Sequence, residues 1–120
     1  MKKDETIENY LEAIYFISKE KKVVRAIDVV NYLGFSRPTV SVALKNLEKD
    51  GYIQIDNNVI TLAKKGIEVA KTISERHEYI ANILIKLGVS EQTAYNDSCL
   101  IEHDISDETF EAIKKATKNI

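Results

Sequence analysis

The sequence has 120 residues, the size of one domain or of two small domains that share a core. Its composition is that of an ordinary globular protein, with 44% hydrophobic and 30% charged residues, and no apolar run approaches the roughly 18 residues of a membrane helix. No signal-peptide pattern is present and the single cysteine excludes an intramolecular disulfide, so we expect a cytoplasmic protein.

The net charge of −2 conceals an uneven distribution of charge along the chain. Residues 19–65 include nine basic and five acidic side chains, whereas residues 67–120 include six basic and ten acidic ones. A basic segment suits a phosphate backbone, and an acidic one attracts cations. The two halves of the chain are therefore predicted to bind different partners.

The first half contains the pattern of three helices. The apolar positions of the first helix recur at helical spacing, with Asp4 or Thr6 as a candidate cap: Ile7, Tyr10, Leu11, Ile14 and Tyr15. A short second helix is predicted with Ile27, Val30 and Leu33 inward and Gly34 at its end. The third is capped by Ser36, has Pro38 in its first turn, and buries Val40, Leu44 and Leu47. Helix, short turn and helix form a helix-turn-helix pattern.

A small hairpin and three more helices follow. Residues 52–55 and 59–62 alternate in polarity around Asn57-Asn58, which favours a tight turn and hence a wing. The fourth helix is predicted over residues 63–86, with its apolar stripe at Ile67, Ala70, Ile73, Ile80 and Leu84. Ser90 and Ser106 start the last two helices. We predict a mostly α protein: a winged helix-turn-helix DNA-binding domain over residues 1–66 and a helical domain over residues 67–120.

Three donor side chains lie one turn apart on the predicted fifth helix. Offsets of three and four residues place Cys99, Glu102 and His103 on the same face. Thiolate, carboxylate and imidazole together suit Fe²⁺, Zn²⁺ or Co²⁺ better than Ca²⁺ or Mg²⁺. The alternative is a buried thiol beside a solvated charge pair. Next to a DNA-binding half, the cluster indicates a metal-sensing transcriptional regulator.

Two other classes of function are compatible with these residues. Cys99 could be a nucleophile activated by His103, but the sequence offers no oxyanion loop or third orienting group, so we do not expect an enzyme. The chain could also be a winged-helix regulator whose metal site is vestigial and which responds to another ligand. DNA binding that does not depend on metal would favour this alternative.

Five stretches carry a family resemblance that covers nearly the whole chain: residues 8–15 (ENYLEAIY), 36–41 (SRPTVS), 62–66 (LAKKG), 76–78 (RHE) and 99–103 (CLIEH). In order and spacing the chain resembles the iron- and manganese-dependent repressors of the diphtheria toxin repressor family. The resemblance implies a winged helix-turn-helix domain, a helical metal-binding and dimerisation domain, and metal-dependent repression of metal homeostasis genes. The sequence ends without the SH3-like domain of longer members, so we expect a short form or a truncated one.

The resemblance also implies a metal site. Its ligands would be Asn9, Glu12, His77, Cys99, Glu102 and His103. Iron-type members have Met and manganese-type members Asp where this chain has Asn9, and Cys99 matches the iron type. We therefore expect Fe²⁺, with Mn²⁺ second. The ancillary site of the iron type is incomplete, because Tyr95 and Ala81 replace His and Glu.

The partners implied are a double-stranded DNA operator and a second copy of the chain. The N-terminal edge of the third helix and nearby lysines are the candidates for bases and phosphates: Ser36, Arg37, Pro38, Thr39, Ser41, Lys45, Lys64 and Lys65. A homodimer is expected to use the apolar faces of the last two helices, which carry Ile101, Ile105, Phe110 and Ile113.

Overall fold

A computed structural model describes the backbone of residues 2–120 and the side chains of residues 6–120. These residues form six helices and one hairpin in the order α1 (Lys2–Glu20), α2 (Ala26–Leu33), α3 (Arg37–Lys49), β1 (Ile53–Asp56), β2 (Val59–Leu62), α4 (Lys64–Lys86), α5 (Glu91–Asp104) and α6 (Asp107–Ala116). The predicted mostly α architecture is confirmed. The chain divides into two compact units, the first ending at Lys71 and the second starting at Thr72.

Helix α1 supplies the largest side chains of the core of the first unit. Its buried face carries Tyr10, Leu11, Ile14 and Ile17, at the spacing of an amphipathic helix. The expected cap at Asp4 or Thr6 is wrong, because α1 already includes Lys2 and both residues lie inside it. The side chain of Asp4 lies outside the described residues.

Helix α2 begins at Ala26, and its N-terminus is fixed by a local hydrogen bond. Arg25 is the N-cap, and its backbone N–H donates to the Asp28 carboxylate at 2.9 Å, an interaction that fixes where the helix begins. Val29 is fully buried in the core of the first unit, whereas Ile27, which we expected inward, is 39% exposed. Gly34 ends the helix with a φ of 76°, as predicted.

Helix α3 and the hairpin form as predicted. The Ser36 hydroxyl accepts from the Thr39 backbone N–H at 3.3 Å, and the predicted inward positions, Val40, Leu44 and Leu47, are buried. Strands β1 and β2 are antiparallel, with Ile53 opposite Leu62. Asn57 and Asn58 have positive φ angles of 51° and 66°, as a tight hairpin turn requires. The first unit is thus a winged helix-turn-helix.

Gly66 allows the start of α4 to lie against the backbone that follows α3. A Cβ at this position would collide with the carbonyl oxygen of Tyr52 and come within 3.3 Å of the Leu62 side chain. The same Tyr52 oxygen accepts from the Ala63 N–H at 2.9 Å. Only glycine fits at residue 66 without displacing this contact.

The second unit consists of the rest of α4 with α5 and α6. Its buried apolar residues are Ile73, Ile80, Ala81, Ala94 and Phe110. Ser106 caps α6 by accepting from the Thr109 N–H at 3.1 Å, and Ser90 precedes α5 as predicted. The expectation that Phe110 is available to a second subunit is wrong, since it is only 6% exposed and its ring lies edge-on to Tyr79.

One further expectation for α4 is also wrong. Ile67 does not belong to the buried stripe, because it is 43% exposed in the first unit, whereas Ala70 and Ile73 are buried.

Among residues 2–120, no helix combines the length and the apolar character needed to cross a membrane.

Candidate metal centre and nucleic-acid interface

The second unit brings three of the predicted donor side chains together on α5. A donor atom of Cys99 and one of His103 lie within 4.8 Å of each other, as do donor atoms of Glu102 and His103. The helical offsets of three and four residues produce this arrangement without any contribution from a loop. The predicted common face of Cys99, Glu102 and His103 is therefore present.

Burial distinguishes this cluster from a solvated charge pair. The side chains of Glu102 and His103 are only 2% and 4% exposed, and the Glu102 carboxylate lies 3.4 Å from His103 Nδ1. Buried ionisable groups of this kind are typically paired or coordinate a metal, because an uncompensated buried charge is costly. Carboxylate, imidazole and the half-buried Cys99 thiol form a donor set that suits a divalent first-row metal.

A backbone contact defines the protonation of His77. Its Nε2 lies 2.9 Å from the carbonyl oxygen of Tyr95, which can only accept, so Nε2 carries the proton. The ring also lies edge-on to the Tyr95 ring, with centroids 5.9 Å apart. A histidine that donates from one nitrogen to a carbonyl is oriented to ligate through the other, and for His77 that nitrogen is Nδ1.

The remaining predicted ligands belong to the first unit. Asn9 and Glu12 lie three residues apart on α1, so they share one face of the helix, and both are half-buried. At the predicted ancillary site, Ala81 is fully buried and has no side-chain donor, so position 81 provides no ligand for a second ion.

Helix α3 exposes some of the side chains that are predicted to contact DNA, whereas two of them form hydrogen bonds at its N-terminal cap. Arg37, Ser41 and Lys45 are exposed along α3. Ser36 and Thr39 are also exposed, but the Ser36 hydroxyl donates to Thr39 Oγ1 at 2.8 Å and accepts from the Thr39 N–H. Pro38 occupies the first turn of the helix. The two hydroxyls therefore form the N-terminal cap of the helix.

The two predicted lysines after the wing differ in their surroundings. Lys64 is exposed at the start of α4. The Lys65 ammonium donates to the Asp50 carbonyl at 3.1 Å and lies 4.2 Å from the centre of the Tyr52 ring. Lys65 is therefore engaged within the first unit, and Lys64 is the better candidate for a phosphate contact.

Sequence reasoning did not single out two residues that lie beside Ser41 and Lys45, nor one exposed apolar residue elsewhere on α3. Arg25 and Asn58 line a cleft of about 320 Å³ together with Ser41 and Lys45, although they come from the start of α2 and from the wing. Val42 is 60% exposed on α3, where an apolar side chain suits the methyl group of thymine. The basic character of Arg25 was a signal in the sequence, whereas the exposure of Val42 was not.

Two family models together cover nearly the whole chain. "Iron dependent repressor, N-terminal DNA binding domain" matches residues 4–58, and "Iron dependent repressor, metal binding and dimerisation domain" matches residues 63–120. An uncharacterized HTH-type transcriptional regulator of Methanocaldococcus jannaschii is 36% identical over 92% of this chain and 90% of that protein. Transcriptional regulator MntR of Escherichia coli is 36% identical over 95% of this chain and 74% of that protein.

Solved structures agree with these matches. The metal-dependent transcriptional regulator MtsR superposes with a TM-score of 0.84 at 26% identity, over 93% of this chain and 53% of that one. A manganese-dependent transcriptional repressor in complex with manganese superposes with a TM-score of 0.82 at 22% identity, over 92% of this chain and 51% of that one, which supports the fold. The chain thus spans about half the length of these solved relatives. It belongs to the diphtheria toxin repressor family of metal-dependent transcriptional regulators, as its motifs predicted.

Proposed function

We propose that this protein is a DNA-binding transcriptional repressor of metal homeostasis genes, with a divalent metal ion as corepressor. The observation that carries the proposal is the α5 cluster of buried Glu102 and His103 side chains with the half-buried Cys99 thiol, within the region that matches a metal-binding domain. The winged helix-turn-helix supplies the DNA-binding half. Such a regulator acts at the chromosome, so the proposal places it in the cytoplasm.

The proposed metal ligands are Asn9, Glu12, His77, Cys99, Glu102 and His103. Three observations in the second unit support this set: the clustered donors of α5, the burial of Glu102 and His103, and the orientation of His77 by the Tyr95 carbonyl. Asn9 and Glu12 are proposed from the family resemblance and from their shared face on α1. Asn9 can contribute only a neutral amide oxygen.

We propose Fe²⁺ as the physiological metal and Mn²⁺ as the runner-up. A thiolate ligand favours Fe²⁺ over Mn²⁺ in the general affinity order of divalent metals, and Cys99 is a thiol. The family model is named for iron, whereas one of the matched structures is described as manganese-dependent. Both metals are therefore represented among the relatives, and the Cys99 thiol is the feature of this chain that supports iron.

We propose that α3 reads an operator from the major groove. Arg37 and Ser41 are exposed polar residues in the N-terminal part of α3, and Val42 is exposed on the same helix. Lys45 and Lys64 are proposed as phosphate contacts. Ser36, Pro38, Thr39 and Lys65 complete the proposed contact set, with Ser36 and Thr39 acting chiefly through the cap and Lys65 through the Tyr52 region.

We propose that two copies act together on two half-sites. The match of residues 63–120 to a metal binding and dimerisation domain supports a homodimer. Two recognition helices must lie about one DNA turn, roughly 34 Å, apart to occupy adjacent half-sites. A bound cation offsets the repulsion between ligand carboxylates, and by population shift this favours the conformations of the dimer that bind DNA.

The test is a titration of the metal-free protein with Fe²⁺, Mn²⁺, Co²⁺ and Zn²⁺. The DNA probe, called the selected duplex, is first obtained by selection from a random-sequence pool in the presence of the same metals. Binding of the protein to this duplex is then measured at each metal concentration. The proposal predicts that metal tightens binding to the selected duplex and that a chelator reverses the effect. The control is Glu102→Gln, which removes one ligand charge and is expected to abolish the effect.

The outcome also decides between the proposal and its nearest alternative. Asn9 lacks the charge or soft donor of other family members, which leaves room for a winged-helix regulator with a vestigial metal site. That alternative predicts tight binding to the selected duplex in chelator. A DNA affinity that no metal changes would overturn the corepressor role and leave the DNA-binding role standing.

A further inference from the structure

Arg76 joins α4 to both the end of α5 and the start of α6 within the second unit. Its Nη2 donates to the carbonyl oxygens of Glu102 and Ile105, each at 3.4 Å. Its Nη1 donates to the Asp107 carboxylate at 2.7 Å, and its guanidinium lies 4.7 Å from the centre of the Phe110 ring. One side chain, only 13% exposed, thus holds the whole connection between the two helices.

The two carbonyl contacts act on the part of α5 that carries the proposed ligands. The last carbonyls of a helix lack intrahelical partners and form the negative end of its dipole, which a guanidinium stabilises. One of these carbonyls belongs to Glu102, whose carboxylate is a proposed ligand. Arg76 therefore holds the backbone of a ligand residue without touching its carboxylate.

The next residue along α4 holds α5 at a second point. His77 donates from Nε2 to the carbonyl of Tyr95, seven residues before Glu102 and about 10 Å away along the helix axis. Cys99 lies between the two contacts. Arg76 and His77 thus bind the backbone of α5 on both sides of its donor cluster, which restricts both sliding and rotation of the helix.

We infer that Arg76 is a positioning residue for the metal centre: it sets the register of the ligand-bearing face of α5 against α4, so that the α5 donors and His77 meet one ion. This inference rests on the proposed metal-binding function. Partners that orient metal ligands typically contribute 10–100-fold to metal affinity. We expect Arg76 to contribute to metal affinity by a factor of this size, although none of its own atoms binds the metal.

The test compares Arg76→Lys with two matched controls. Lysine keeps the positive charge near Asp107, but a single ammonium cannot reproduce the planar fork that reaches two carbonyls and a carboxylate. Asp107→Asn removes only the ion pair, whose carboxylate is 94% exposed. Tyr79→Phe removes hydrogen bonds from Tyr79 Oη to Thr117 Oγ1 and the Lys114 carbonyl, which loosens α4 against α6 but leaves α5 untouched.

Two quantities are measured on each full-length variant: the Co²⁺ dissociation constant by calorimetry and the Co²⁺ absorption spectrum, which reports coordination geometry. Arg76→Lys is expected to weaken Co²⁺ binding about 10–100-fold and to alter the spectrum. Both controls are expected to keep the parental affinity and spectrum, even if Tyr79→Phe melts at a lower temperature. Should Arg76→Lys fail to fold, Arg76→Gln, which keeps one donor for a carbonyl, replaces it with the same expectation.

Several results would overturn the inference. Parental affinity and spectrum in the folded Arg76 variant would show that the contacts of Arg76 are structural only. An equal loss in Asp107→Asn would assign the effect to the ion pair, and an equal loss in Tyr79→Phe would assign it to general loosening of the unit. Failure of the parent protein itself to bind Co²⁺ would refute the proposed function instead, so the two failures are distinguishable.

Discussion

Replacing Gly66 by alanine should destabilise the first unit, although alanine is the better helix former. The helix propensity gain is at most about 1 kcal/mol. Against it, the new Cβ collides with the Tyr52 carbonyl oxygen and crowds the Leu62 side chain. Backbone atoms cannot rotate away, so the collision must shift α4 or break the hydrogen bond from Ala63.

Overpacking of this kind typically costs about 1–3 kcal/mol, which exceeds the propensity gain. Because the collision is with backbone, the cost should lie near the upper end of this range, and subtracting the propensity gain leaves an expected loss of about 2 kcal/mol in the free energy of unfolding of Gly66→Ala, measured by urea denaturation followed by circular dichroism. Lys71→Ala, an exposed substitution on the same helix, is the control and should change it by less than about 0.5 kcal/mol. A Gly66→Ala protein as stable as the parent would refute the close approach of α4 to Tyr52.

Other predictions concern the metal centre, a charged cap and the DNA contacts. Co²⁺ bound to the parent should give an intense thiolate-to-metal charge-transfer band that is absent in Cys99→Ala; a retained band would remove Cys99 from the ligand set. Hydrogen bonds from the Lys21 side chain and from the Arg25 backbone lower the pKa of Asp28 below its ordinary 3.8. The ionised carboxylate therefore stabilises the fold above pH 3.8. This stabilisation is lost as the pH falls through the lowered pKa. Asp28→Asn should therefore reduce stability at pH 7 by under about 1 kcal/mol, and the difference should shrink below pH 3.8; a difference independent of pH down to acid unfolding would contradict this. Lys45→Ala should reduce the slope of log DNA affinity against log salt by about one unit, whereas an unchanged slope would mean that Lys45 contacts no phosphate. Arg37→Ala should bind metal normally but lose about 1–3 kcal/mol of preference for the selected duplex over random DNA, measured by competition.

Much of the fold follows from local rules that a sequence displays. Ser36 and Ser106 cap their helices, and Asn57-Asn58 adopts the positive φ angles of a tight turn, because these features depend on residues within one or two turns. The common face of Cys99, Glu102 and His103 follows from helical period alone. These parts could be predicted without any knowledge of tertiary contacts.

The features that sequence reasoning missed depend on residues that are distant in the sequence. The burial of Val29 rather than Ile27 reflects how α2 packs in a core that α1 and α3 also form, which the apolar spacing within α2 does not specify. The engagement of Lys65 with Asp50 joins residues 15 apart, and the contacts of Arg76 join residues 26 to 31 apart. The spacing of residues along the chain does not indicate such pairings. The sequence alone therefore cannot show whether a given lysine or arginine binds a DNA phosphate or a carbonyl oxygen of the protein.

The measurement that tests the account most directly is the metal affinity of the parent protein with and without the selected duplex. Coupling between two sites is reciprocal, so DNA must tighten metal binding by the same factor by which metal tightens DNA binding, typically 5–150-fold. We predict equal factors in the parent and no coupling in Glu102→Gln. A metal affinity that is indifferent to DNA would show that the ion stabilises the fold without acting as a corepressor.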